Sequence, residues 1–200
     1  MNKTERETKM GFFKKRSGAI LVFCVVVILA SFFAANRSLS SRVQEVTDLF
    51  YDGTYDPGLG YRQPSIKRQL DIRKDASNSL LSIGLYYPEA ESETSALRSA
   101  RNAFEDGLSR CVGAGKLYVL NKELDAAYNA LYVKLGTLAL DSARRNILDE
   151  SRKEWDGSAA MIQKSGYNEA VRQFNRDVLS VFPTNFVMKL ALVKPPELFE

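Results

Sequence analysis

Apolar positions follow two patterns in this chain, a continuous run near its start and a helical repeat further on. Residues 17–36 contain no Asp, Glu, Lys or Arg. As a helix rising ~1.5 Å per residue, this run spans ~30 Å, the thickness of the hydrocarbon core of a bilayer. It exceeds the ~7–15 apolar residues of a signal peptide, and the bulky Phe33 would occupy the −3 position of a cut after Ala35. The run therefore predicts an uncleaved transmembrane helix, a signal-anchor.

Beyond residue 63, apolar side chains recur at intervals of three and four, the period of a helix with one buried face. The clearest pattern starts at Leu117, Leu120 and Leu124 and continues to Leu138. Pro88 separates two of these patterns, because proline cannot continue a helix. The predicted helices cover 38–50, 64–85, 92–108, 117–138 and 142–182, and the last of them is expected to be continuous.

Amphipathic helices that are joined by short loops bury their apolar faces by packing antiparallel. The sequence therefore predicts an all-α fold, with an N-terminal transmembrane helix followed by an antiparallel up-and-down bundle of about four helices. In this bundle the helix at 142–182 runs antiparallel to the helix at 117–138. Its overhanging part would pack against the helices at 64–85 and 92–108.

Four segments are predicted along the chain: a basic cytoplasmic head at 1–16, the transmembrane helix at 17–36, a stalk and Tyr/Gly loop at 37–63, and the helical bundle domain at 64–200. Three glycines, one proline and three tyrosines in 51–63 interrupt any regular helix. This loop has two interpretations. It is either a plain connection or a tyrosine-rich contact surface.

The net charge of +4 is unevenly distributed. Residues 1–40 carry seven Lys or Arg and two Asp or Glu, a balance of +5 that leaves −1 for the other 160 residues. A nucleic-acid-binding surface needs a local basic surplus, so no nucleic acid is expected as a partner. Excess Lys and Arg stay in the cytoplasm. We therefore expect a single-pass protein of the cell membrane whose C-terminal domain is extracytoplasmic.

The residue types limit the chemistry. The chain has no histidine and two cysteines, of which Cys24 lies in the apolar run and Cys111 far from it. The absence of histidine excludes Ser-His-Asp and Cys-His nucleophile systems and the common zinc sites. Gly113 and Gly115 precede Lys116 without the rest of a phosphate-binding motif, so they are interpreted as a helix terminator. We expect no enzyme, no cofactor and no metal.

Two groups of residues form recognisable motifs. The first consists of Tyr167, Asn168, Ala170, Val171, Phe174 and Asn175, followed by Phe182, Pro183, Phe199 and Glu200. The second consists of Gln69, Leu70, Arg73 and Asp75. Together they resemble the LemA family over about residues 40–200, and the resemblance implies a membrane-anchored antiparallel bundle of about four helices without a known enzymatic activity. The chain departs from the family at the loop 51–63 and in the position of its single tryptophan, Trp155.

The asparagines Asn168 and Asn175 have two interpretations, since asparagine is a mediocre helix former. Their amides either bridge helix partners or a loop backbone inside the bundle, or they belong to a recognition groove for a partner peptide. The candidate interface consists of Tyr167, Asn168, Val171, Phe174, Asn175, Phe182 and Pro183.

Three function classes fit this sequence. We expect a non-catalytic scaffold or adaptor that binds other membrane or envelope proteins. The alternative is a sensor or accessory subunit that binds a peptide or lipid in a groove between helices. An enzyme that uses carboxylates alone is the least favoured class, because histidine is absent.

Overall fold

The computed structural model describes residues 16–58 and 60–200, and the predicted basic head lies outside them except for Arg16. The predicted all-helical class is confirmed, apart from one small hairpin. The elements are α1 Arg16–Asp52, β1 Tyr55–Asp56, β2 Tyr61–Arg62, α2 Ile66–Gly84, α3 Glu91–Ser109, α4 Ala114–Gly136, α5 Ser142–Lys164, α6 Tyr167–Phe174 and α7 Thr184–Leu190. A 3₁₀ turn, Pro88–Ala90, precedes α3, and a π-helical turn, Asn175–Leu179, follows α6.

Helix α1 contains the apolar run and continues well beyond it. Its 37 residues extend ~55 Å, about 25 Å more than the hydrocarbon core needs. Its most apolar 18-residue window has a mean hydropathy of 2.8 and is almost entirely exposed, so this helix is long and apolar enough to cross a membrane. Further along α1, Leu39 and Phe50 are buried. The part predicted as a stalk therefore packs on the rest of the domain.

The loop predicted at 51–63 is shorter and more regular than expected. Helix α1 continues to Asp52, and an antiparallel hairpin pairs Tyr55 with Arg62. The turn from the end of α1 into the hairpin requires Gly53. Its φ is +78°, and a Cβ there would lie 2.0 Å from the Gln63 carbonyl oxygen. Strands of two residues are too short to produce an alternation that the sequence could reveal.

The caps and breakers of the sequence set the ends of α2 and α5. Ser65 accepts a hydrogen bond from the Arg68 N–H at 3.1 Å and caps α2, so this helix begins two residues later than predicted. Asp141 caps α5 in the same way, through the Arg144 N–H at 2.8 Å. The buried apolar faces of α2–α5 form the main core.

Helix α5 packs mainly against α2, and α3 packs mainly against α4. Arg73 contacts Ser158 and Ala76 contacts Ser151, so α2 and α5 run antiparallel. The prediction that α5 runs antiparallel alongside α4 agrees with their side-chain contacts, since Asp125 accepts from Trp155 and Asn129 accepts from Arg152. The small side chains of Ser151 and Ser158 let α5 approach α2 closely, whereas the stacked rings of Tyr128 and Trp155 stand between α4 and α5.

The predicted continuous helix at 142–182 is wrong. Helix α5 ends at Lys164, and Gly166 adopts a left-handed conformation with φ +68° before α6 begins. Helix α6 gives way to the π-helical turn and ends well before a cis Phe182–Pro183 peptide bond. The apolar spacing continues across the break because both helices bury one face.

Helices α6 and α7 pack against α1. The helices at 64–85 and 92–108 were the predicted partners of residues 155–182, which is wrong for α6 but agrees with the contact of Ser158 with Arg73. The Phe50 and Tyr167 rings meet edge to face at 5.3 Å. A second, smaller core contains Leu39, Phe174, Val178 and Met188. The tail, residues 191–200, then returns toward the main core, where Phe199 is buried.

Candidate functional site

Three side chains of α6 hold the tail in place, and we name Tyr167, Asn168 and Arg172 the clamp. The Tyr167 hydroxyl donates to the Glu197 carbonyl oxygen at 2.7 Å. Asn168 donates to the Phe199 carbonyl oxygen at 2.9 Å and accepts from the Phe199 N–H at 2.8 Å. Arg172 pairs with the Glu200 carboxylate. Asn168 and Arg172 are four residues apart, so one face of α6 supplies both contacts.

The Phe199 side chain anchors the tail in the core. It is 4% exposed, and its ring lies 5.4 Å from the Tyr118 ring and 5.9 Å from the Phe50 ring. These two rings belong to α4 and α1. The tail therefore contacts α1 and α4 through this ring and α6 through the clamp. Burial of an aromatic ring makes a large apolar contribution to stability.

The Glu197 carboxylate lies at the start of α4. The Gly115 N–H donates to Glu197 Oε2 at 3.2 Å, and a Cβ on Gly113 would lie 2.1 Å from the same oxygen. A helix N-terminus favours an anion, because its N–H groups are unpaired and its dipole is positive there. Gly113 and Gly115 were predicted to terminate a helix. In the structure they lie at the start of α4, where they leave room for the Glu197 carboxylate.

Arg73 is the centre of a buried polar network that links α2, α4 and α5. Its side chain is 6% exposed. Nε donates to Ser158 Oγ at 3.1 Å, and Nη1 donates to Asn121 Oδ1 at 2.8 Å. Nη2 lies 3.7 Å from the Asp125 carboxylate, and the guanidinium stacks 4.7 Å above the Trp155 ring.

The network keeps Arg73 charged inside the bundle. Burial lowers the pKa of Arg73, while the carboxylates of Asp125 and Asp156 act in the opposite direction. An arginine stays protonated under these conditions, since its ordinary pKa is so high that the guanidinium is not deprotonated in proteins. The Trp155 Nε1 donates to Asp125 at 2.9 Å and so fixes the carboxylate that faces the guanidinium.

A cavity of about 600 Å³ opens between the Arg73 network and the clamp. Three cations line it, from α2, α4 and α6, against two carboxylates, so its wall carries a positive surplus. Amides and two aromatic rings complete the lining. Its charged side chains are Arg73, Lys122, Arg172, Asp125 and Glu169, its amides are Asn121, Gln163 and Asn168, and its rings are Tyr118 and Phe199. This arrangement suits an anionic group with an apolar part.

The structure brings some of the predicted motif residues together and leaves others apart. Tyr167 and Asn168 bind the tail, and Arg73 lines the same cavity as Asn168. Gln69, Leu70, Val171 and Phe174 are buried, whereas Asp75, Phe182 and Pro183 are exposed. The buried Oδ1 of Asn175 has no hydrogen-bond partner among the described residues, so the predicted bridge by this amide is not observed there.

Sequence reasoning missed several residues of this site, namely Lys122, Asp125, Glu197 and Arg172. A signal for the network was present, because Arg73 interrupts the apolar face of α2 with a charge. No comparable signal marks Lys122 or Glu197. Lys122 lies between Asn121 and Glu123, and Glu197 lies between Pro196 and Leu198. Only the packing of distant segments gives each of them a position in the site.

Neither the described residues nor the comparisons point to a known chemistry. Within 16–58 and 60–200, no three His, Cys, Asp or Glu side chains lie close enough to hold a metal ion together. Comparisons of the chain with models of protein families, with characterised proteins and with solved structures find no match. The clamp and the cavity are therefore the features of the chain that bear on its function.

Proposed function

We propose that this chain is a LemA-like, single-pass membrane protein and a non-catalytic scaffold or adaptor for other membrane or envelope proteins. Helices α2–α5 would form its antiparallel up-and-down bundle. The convergence of the two sequence motifs supports the resemblance, because Arg73 and Asn168 line one cavity and Asn168 binds Phe199. The long apolar part of α1 supports the anchor.

The bundle would lie outside the cytoplasm and the basic head inside, as the charge difference across residues 17–36 favours. A thiol label tests this orientation. Tyr55 is 57% exposed on the hairpin, so Tyr55→Cys in a Cys111→Ser background should react with an impermeant maleimide on intact cells. Labelling that requires lysis would mean that the bundle faces the cytoplasm.

The positive surplus of the cavity wall is the observation that carries the adaptor role. Carboxylates of the tail already bind to a cation and to an N–H group, where Arg172 of the cavity wall meets Glu200 and the Gly115 N–H meets Glu197. An acidic segment of a partner protein would find the same chemistry in the cavity, with Lys122 and Arg73 as cations. Charge-assisted hydrogen bonds to carboxylates are the stronger ones in proteins.

Site-specific cross-linking in native membranes tests this role. A photo-reactive side chain at Gln163, on the cavity wall, should capture a membrane or envelope protein. Lys122→Glu should reduce that cross-link, because it reverses one charge of the wall. The matched control is Lys153→Glu on the exposed surface of α5, outside the cavity. Equal cross-linking in both variants would remove the cavity from the proposed interface.

The alternative is a sensor or accessory subunit that holds a peptide or lipid in the same groove. The volume of about 600 Å³ and the buried guanidinium of Arg73 favour it. A ligand that binds only the folded state raises the unfolding temperature, and above its Kd the rise grows with the logarithm of the ligand concentration. Short acidic peptides should raise the unfolding temperature of the full chain in detergent. A rise that is absent in the Lys122→Glu variant would support this alternative.

A further inference from the structure

The segment from the π-helical turn to the tail exposes an apolar face. Phe182 is 79% exposed, Phe186 54%, Leu190 55% and Leu192 88%. Phe182, Phe186 and Leu190 are spaced by four residues, whereas Met188 on the other side of α7 is buried. The buried side attaches α7 to the second core, so the opposite side is left with large apolar groups and no cover within the described residues.

This segment lies at the end of α1 that adjoins the apolar run. The Tyr167 ring contacts Phe50, and Val178 shares the second core with Leu39. Leu39 and Phe50 are eleven residues apart, and so are Tyr167 and Val178. Each pair is therefore separated by about 16 Å of helix. Helix α6 and the π-helical turn therefore run antiparallel to α1, toward the residues predicted to lie in the membrane.

The position of Leu39 sets the depth of α7. The predicted span ends at residue 36, so Leu39 lies about 5 Å further along the helix axis. The headgroup layer is ~5–8 Å deep on each side of a ~30 Å hydrocarbon core. Met188 packs in the same cluster as Leu39. Helix α7 is thus held at the level of the headgroups, where its exposed side faces lipid.

The charges around the apolar face suit this surface. Segment 176–194 contains Arg176, Lys189 and Lys194 against Asp177, and segment 37–42 adds Arg37 and Arg42. All six side chains are exposed. Basic side chains beside an apolar face are attracted to anionic headgroups while their aliphatic stems follow the apolar surface. This local surplus of positive charge contrasts with the net charge of −1 for residues 41–200.

We infer that the exposed face formed by Phe182, Phe186, Leu190 and Leu192 is a second membrane contact, which dips into the interfacial layer of the bilayer beside α1. The inference rests on the proposed membrane anchor. Its partner is the lipid surface itself, and the contact fixes the bundle against the membrane instead of leaving it free to tilt on a single helix.

Spin labels on the full chain in vesicles of phosphatidylcholine and phosphatidylglycerol test this contact. Single labels go to Phe186→Cys or Leu190→Cys, with Cys24→Ala and Cys111→Ser removing the native thiols. Val133→Cys is the matched control, since Val133 is 64% exposed near the far end of α4. Collisions with oxygen report lipid, and collisions with a water-soluble nickel chelate report water.

Labels at Phe186 and Leu190 should lose nickel collisions and gain oxygen collisions relative to the label at Val133. Adding Phe182→Glu to the Leu190 variant should restore nickel collisions, because a charge in the face draws it out of lipid. Labels at 186 and 190 that match Val133 would overturn the inference and assign the face to a protein partner.

A label on the native Cys24, in the Cys111→Ser variant, separates this inference from the proposed anchor. Cys24 lies in the apolar run, so its label should meet oxygen and not nickel. If the Cys24 label is in lipid while those at 186 and 190 are in water, the anchor holds and the second contact is refuted. If the Cys24 label is in water, both are refuted.

Discussion

The Asn168 carboxamide holds the main chain of Phe199 through two hydrogen bonds at once. Its Nδ2 donates to the Phe199 carbonyl oxygen at 2.9 Å and its Oδ1 accepts from the Phe199 N–H at 2.8 Å. A carboxamide offers both a donor and an acceptor, which a carboxylate or a hydrocarbon of the same size does not. This pair therefore gives a physical role to an asparagine that is otherwise unfavourable in a helix.

Asn168→Ala should destabilise the folded chain by about 1–3 kcal/mol, since it leaves both main-chain groups of Phe199 without their partner. Asn175→Ala is the matched control. Its buried Oδ1 has no partner within residues 16–58 and 60–200, so its loss should cost less or even stabilise the fold. Thermal and denaturant unfolding of the full chain in detergent, followed by circular dichroism, measures both. An equal loss in the two variants would contradict the role of the clamp.

Phe174→Ala should cost about 3–5 kcal/mol, because it empties a buried site in the second core. Phe182→Ala is the control for the loss of an aromatic ring. Phe182 is largely exposed, so its removal in detergent should change the free energy of unfolding by less than ~0.5 kcal/mol. The same unfolding experiment compares them. A Phe174→Ala chain as stable as the parent would show that α6 does not pack on α1.

Helix positions were predictable from the sequence because the apolar period and its breakers are local. The prediction of a helix at 92–108 compares with Glu91–Ser109 in the structure. The break at Gly166 was not predictable from the period, since α6 resumes the same spacing. Neither was the closer approach of α5 to α2 than to α4. It depends on which faces carry small serines and which carry Tyr128 and Trp155, and apolar spacing alone does not distinguish them.

The candidate site was predictable only in part, for a related reason. Tyr167 and Asn168 stood out in the sequence, but their partners Glu197 and Phe199 are about 30 residues away along the chain. A hydrogen bond to a main-chain group leaves no pattern in side-chain identities. The cavity likewise needs four helices and the tail to be in place before its charges come together.

Two glycines should respond to alanine with opposite signs. Gly157 lies exposed in α5, and beyond the backbone of its own helix no described atom would lie within 4 Å of an alanine Cβ at this position, so Gly157→Ala should stabilise the fold by roughly 0.5–1 kcal/mol. Gly84 faces the buried Thr94, whose Oγ1 would lie 2.3 Å from the new Cβ. Gly84→Ala should therefore destabilise by about 1–3 kcal/mol. Unfolding midpoints give the sign directly, and a gain in both variants would contradict the close approach of α2 and α3.

Arg73→Met should destabilise the bundle by roughly 2–5 kcal/mol, since it leaves the buried Asn121 without its donor and uncouples Asp125. The double variant Arg73→Met with Asn121→Leu should regain part of this loss. It replaces both buried polar partners with apolar groups of similar size, a change that is often neutral. A double variant that is less stable than Arg73→Met alone would mean that the network contributes more than the pairing of these two side chains.

High pH should destabilise the fold through two buried phenols. Burial raises the pKa of Tyr128 and of Tyr167 to about 12, from 10 in the unfolded chain, because the charged phenolate loses its water inside the protein. Below pH 10 both states keep the protons, and this contribution to stability is fully present. Between pH 10 and 12 the unfolded chain releases its protons first, so stability is lost by up to about 2–3 kcal/mol per residue at the upper end.

The Phe variants isolate this effect from the other groups that titrate in the same range. Tyr128→Phe and Tyr167→Phe should each flatten the fall in unfolding free energy between pH 10 and 12. Ser151 still donates to the Ala76 carbonyl oxygen after the first change, so that variant leaves no orphaned hydroxyl. Tyr55→Phe, on the exposed hairpin, controls for the removal of a phenol as such. A pH profile that is identical in the parent and both buried variants would mean that neither phenol is desolvated, and the packing around Trp155 and Phe50 would have to be looser than the ring distances indicate.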